Sequence, residues 1–145
     1  MKTNTKRGTM LALAALMLFM SMFVPFEDAE AEMMYNNTTN ALLSCSIDEN
    51  ADLSAILTVY GKQGKTTRIN VELYVEKQFL GIFWYRIDIG CTNNIWTDST
   101  TQYYYNNTFT THLNSHGTYR VTVTYTVSGT GGADDIITKT STIIY

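Results

Sequence analysis

Proline appears once in the 145 residues, at Pro25, and charged side chains make up only 16% of the chain. So little charge beside 45% hydrophobic and 12% aromatic residues excludes an intrinsically disordered protein, because there is ample apolar surface to bury. A basic excess is also missing. Ten lysines and arginines stand against 13 acidic residues, a net charge of −3 that argues against a nucleic-acid partner. Two cysteines and two histidines cannot supply four metal ligands at finger-type spacing, so neither a structural metal nor another cofactor is expected. The length fits one domain.

The first 31 residues read as an export signal. Lys2, Lys6 and Arg7 precede an apolar run from Met10 to Val24, and Ala29-Glu30-Ala31 offers the small-x-small pattern that signal peptidase accepts. As a helix the run would span roughly 22 Å, short of the ~30 Å hydrocarbon core of a bilayer. Cleavage after Ala31 is therefore expected, giving a secreted protein with no stable membrane anchor after cleavage. The chain ends within an apparent strand, with no second apolar stretch.

From residue 32 onward the pattern has a period of two. Leu53, Ala55, Leu57 and Val59 share one face, as do Ile69, Val71, Leu73 and Val75. Tyr119, Val121, Val123, Tyr125 and Val127 alternate with threonines and Arg120, which is an apolar face opposite a β-branched solvent face. The spacing predicts seven strands, near 42–48, 52–60, 67–76, 79–89, 101–111, 118–127 and 134–145, separated by Gly-, Asn- and Ser-rich turns. The fold expected is all-β: a seven-stranded antiparallel β-sandwich over residues 42–145, with 32–41 a flexible lead-in. Leu53, Ala55, Leu57, Ile69, Val71, Leu73, Phe109, Tyr119, Val121 and Val123 are its predicted core.

Ser115-His116-Gly117-Thr118-Tyr119-Arg120-Val121 resembles the entry to strand F of immunoglobulin-like domains. The resemblance makes Tyr119 the corner tyrosine and puts Val121 where antibody domains carry a cysteine, so their inter-sheet disulfide is ruled out. Over residues 42–145 the chain is similar to small secreted proteins of Gram-positive bacteria that hold one Ig-like or fibronectin-type-III-like sandwich. That family implies fold and location and no activity.

Export permits a disulfide, and Cys45 with Cys91 allows only one pairing. Closing that loop would contribute about 3–4 kcal/mol in the chain-entropy model. The expectation is a bond, with two separate buried thiols as the alternative. His112, His116, Ser115 and Asp98 supply the residue types of a hydrolase triad, but no nucleophile elbow surrounds them, and the histidines flank a turn. Glu72 and Glu76 lie about 13 Å apart on one strand face, too far for a glycosidase pair. Asp134-Asp135 reads as a solvated hairpin end, with calcium binding as the less favoured reading. Asn36, Asn37 and Asn106 read as turn residues. The expectation is a protein that is not an enzyme.

The aromatic residues point to the function. Phe79-Leu80-Gly81-Ile82-Phe83-Trp84-Tyr85 is apolar on both faces of a strand, whereas an antiparallel sandwich covers one face of each sheet. Tyr74, Ile82 and Trp84, with Tyr104 from the Tyr103–Tyr105 run, are the predicted contact surface. Its partner would be an extracellular protein or carbohydrate, or a second copy of the chain. The leading reading is a secreted, non-catalytic extracellular binding module. The alternative is a secreted effector or antimicrobial protein acting on competitor walls or membranes.

Overall fold

β-branched residues alternate with polar ones along most of the chain, and each such run pairs into a pleated sheet with one face buried. The computed structural model describes residues 34–145; the proposed signal peptide and the cleavage position Ala31 lie outside the described residues. Eight strands form: β1 (Thr38–Ile47), β2 (Asp52–Gly61), β3 (Thr66–Phe79), β4 (Phe83–Arg86), β5 (Trp96–Thr100), β6 (Tyr104–His112), β7 (Thr118–Gly129) and β8 (Asp135–Ile144). They pair antiparallel into two sheets, β1-β2-β6 and β4-β3-β7-β8, with β5 also pairing β3. The first, second and sixth strands in one layer and the third, seventh and eighth in the other follow the immunoglobulin-like Greek key. Both β4 and β5 join β3 rather than the smaller sheet.

The eighth strand, beyond the expected seven, is β5, which no predicted strand covers. The predicted strand 79–89 does not exist as a unit. Instead β3 runs on through Phe79, turns over Leu80–Ile82 and returns as β4. Trp96–Thr100 then pairs with the first half of β3, a strand disguised in the sequence by its Asp and Ser.

The core lies between the layers. Leu53, Ala55, Leu57, Ile69, Leu73, Val121 and Val123 are fully buried, and Val71, Phe109 and Tyr119 nearly so, as the alternation predicts. Tyr119 donates its hydroxyl to the Ser115 carbonyl at 2.5 Å, so the tyrosine corner implied by the resemblance is present. Tyr125 reaches across the core from β7 to the Leu42 carbonyl on β1 at 2.7 Å. Burial of that phenol raises its pKa above the ordinary range.

Residues 36–41 are not a loose lead-in. β1 begins at Thr38, and Asn37 has no exposed surface. The Asp135 carboxylate accepts the Asn36 amide (2.8 Å), the Asn37 amide (2.7 Å) and the Thr38 hydroxyl (2.9 Å). Burial works to raise its pKa, and these donors outweigh burial and hold it below the usual carboxylate value. Asn37 in turn donates to the Val127 and Ala133 carbonyls and accepts the Gly131 amide. A Cβ on Gly131 would meet the Asn36 carbonyl oxygen at 2.2 Å, so glycine there serves close approach of this segment rather than a loose turn.

Cys45 and Cys91 are free thiols, which corrects the expected disulfide. Cys45 lies on β1 beside Ser141 of β8, whereas Cys91 follows β4 at the opposite edge of the larger sheet. β8 and β4 are separated by β7 and β3, which at normal strand spacing is about 14 Å. A disulfide needs Cα atoms within about 7 Å.

Candidate functional site

β3 is 14 residues long, and its inward-facing residues are buried only as far as Val75. Beyond that point Lys77 is half-buried and Phe79 is exposed, so the end of the hairpin stands clear of the core. The Ile82 amide donates to the Phe79 carbonyl at 3.2 Å, closing a turn whose central residues Leu80 (φ 52°) and Gly81 (φ 73°) both have positive φ. Gln78 Nε2 braces it by donating to the Gly81 carbonyl at 2.9 Å. Turns of this kind favour Asn, Asp or Gly at both central positions. Leucine in the left-handed region is strained by about 1–2 kcal/mol. Here the strained leucine is also 74% exposed, so no buried contact offsets the strain.

Its neighbours are equally apolar and uncovered. Ile82 is 68% exposed, and Phe79 and Phe83, opposite one another in register, are each more than half exposed. Tyr85 lies one step below them on the same face as Lys77. Lys77 sits over the Tyr119 ring at 5.3 Å and donates to Ser115 Oγ at 2.5 Å. A cavity of about 290 Å³ opens between these residues and the β6–β7 loop.

The outward face of the same sheet carries the paired aromatics. The Arg86 guanidinium stacks on Tyr74 at 4.2 Å, and that of Arg120 on Trp84 at 4.3 Å. Arg120 is held by Glu76, with Nε at 2.8 Å and a terminal nitrogen at 2.7 Å from one carboxylate oxygen. Tyr74 and Trp84 are both half-buried under these arginines.

Of the predicted contact residues, Tyr74 and Trp84 thus share a face, and Ile82 sits in the turn beyond them. Tyr104 does not join them. It lies on β6 in the other sheet, paired with Tyr60 at a ring separation of 5.4 Å, on the same face as the exposed Leu42 and Ile56. Phe79, Leu80, Phe83 and Tyr85 are exposed residues that the strand reading absorbed into a single element. Gly81 was the available signal: a glycine inside an apolar run marks a place where the chain reverses.

The triad residue types are not assembled. Asp98 accepts from Tyr105 at 2.8 Å and Asn107 at 2.9 Å, bonds that lower its pKa and tie β5 to β6. His112 pairs with Asp52 at 3.0 Å, and His116 stacks on Tyr145 at 4.2 Å. The Asp135 carboxylate is engaged by the three donors already described, which leaves its hairpin end a clasp. No family model matches the chain, and no curated protein matches it.

Proposed function

We propose that this chain is a secreted, non-catalytic extracellular binding module of a Gram-positive bacterium, and that the β3–β4 hairpin makes its contact. The observation that carries the proposal is Leu80: a large apolar side chain kept at a positive-φ, solvent-exposed position where Asn or Gly would stabilise the turn. Strained residues cluster at ligand clamps and other functional sites, so this outlier motivates a functional reading. The concentration of exposed Phe79, Ile82 and Phe83 around it supports the same reading. Export through the 1–31 segment puts the hairpin outside the cell, where the partner would be a surface component.

Sedimentation of the protein lacking residues 1–31 with intact Gram-positive bacteria and with cultured mammalian cells tests this. Wild type should sediment with at least one cell type, and Ile82→Ser/Phe83→Ser should remain in the supernatant with its melting temperature unchanged. Equal sedimentation of the two proteins would exclude the hairpin as the contact. Lysis of the cells would replace the binding reading with that of an effector.

A further inference from the structure

We infer that the partner of the hairpin is a lipid bilayer interface, entered by Phe79, Leu80, Ile82 and Phe83; this rests on the reading of the hairpin as the contact surface. Two observations separate a bilayer from a protein partner, and a third selects the kind of bilayer.

The first is direction. A protein-binding patch is apolar on one side, whereas here apolar side chains occupy both partners of the Phe79–Phe83 pair and two of the three turn residues between them. Side chains that leave a tight turn on different sides are all covered at once by a medium that surrounds the tip, and not by a flat protein surface.

The second is layering. Moving down the hairpin, the apolar tip is followed by the Gln78–Trp84 and Lys77–Tyr85 pairs, then by Glu76–Arg86, with Arg120 across the sheet ion-paired to Glu76. Hydrocarbon, an amphipathic aromatic belt and cations at phosphate level come in that order at a membrane surface. The Glu76–Arg86 pair lies three register positions from Phe79–Phe83, about 10 Å at antiparallel strand rise. That distance matches the roughly 5–10 Å that interfacial segments sink below the headgroups. Arg86 is exposed, stacked on Tyr74, and has no carboxylate partner among the described residues, so its donors are available to a phosphate.

The third is charge. Lys77, Arg86 and Arg120 beside the hairpin are offset by Glu76 and Asp88 and, in the β1–β2 turn at the same end of the sandwich, by Asp48 and Glu49, so no excess of positive charge favours a strongly anionic surface and a zwitterionic one is preferred.

Co-sedimentation with phosphatidylcholine vesicles, measured beside thermal unfolding, tests the inference. Wild type should partition onto the vesicles and partition less well when phosphatidylglycerol is added. Ile82→Asp should weaken partitioning at least tenfold at an unchanged melting temperature, since it drags a charge into hydrocarbon. Leu80→Asn should weaken it severalfold while raising the melting temperature, a pair of opposite effects that no structural role for Leu80 produces. Absence of vesicle binding, or binding indifferent to both substitutions, overturns the inference. So does a dimer in sedimentation equilibrium that Ile82→Asp dissociates, because the tip would then be a protein contact. Hairpin-dependent binding to cells without binding to vesicles removes the bilayer alone; loss of both removes the binding reading with it.

Discussion

The two ends of the sandwich treat their exposed chemistry in opposite ways. At the end where β1 begins, Asn36, Asn37 and Thr38 fold onto Asp135 and the glycine-rich β7–β8 turn, and the polar atoms there have partners. At the end where β3 turns into β4, large apolar side chains stand in solvent, and one of them has a strained backbone. The clasp residues of the first end are explained by what they touch. The apolar residues of the second end are not, because touching water stabilises nothing. A feature that costs stability and has no compensating contact within the chain points to a contact made with something outside it.

That contrast can be broken most sharply at the clasp. Asn37→Ala removes the side-chain donor to the Val127 carbonyl, one of two donors to the Ala133 carbonyl and the acceptor of the Gly131 amide, all around a fully buried residue, and should lower stability by about 2–4 kcal/mol in urea unfolding. Acid should act through the same place with a smaller effect. Because the folded state holds the Asp135 carboxyl below its ordinary pKa, its contribution is complete above about pH 4 and is lost as pH falls through the lowered value. Urea midpoints of wild type should therefore drop between pH 6 and pH 3 more than those of Asp135→Asn; parallel curves would show that the clasp carries no linkage.

Tyr119→Phe, at the corner nearer the hairpin, should cost about 1 kcal/mol by leaving the Ser115 carbonyl without its donor. Leu80→Asn reverses the sign: relief of the positive-φ leucine should add about 0.5–1 kcal/mol to stability. The smallest effect belongs to Ile82→Ser, within about 0.5 kcal/mol of wild type, as for surface residues without contacts. Should Ile82→Ser destabilise the domain by several kcal/mol, the tip would be structural and the difference between the ends would vanish.

Much of the fold is legible before any coordinates. Residues 52–60, 67–76 and 118–127 alternate over most of their length because each lies in a sheet with one buried face, and periodicity reports just that circumstance. Residues 79–89 defeated the same method. A run that is apolar at nearly every position has no period, so nothing but Gly81 says where the chain turns back. The candidate surface was legible in part for the same reason. Tyr74, Ile82 and Trp84 belong to the hairpin region, while Tyr104 was assigned by composition and lies on the other sheet.

By itself, the sequence determined the class, most of the strand positions, the corner tyrosine and which faces are buried, because those follow from local alternation and from one short motif. Which residues share an end, an edge or a face was decided by the tertiary structure alone. The thiols of Cys45 and Cys91 stand at opposite edges because β7 and β3 intervene between β8 and β4, and the order of strands in a sheet is not written in the spacing of residues along the chain. Asn37 and Asp135, 98 residues apart, meet because the first and last strands form neighbouring edges of the two layers. Long-range closure of that kind arises from packing the whole core, so no window of sequence contains it.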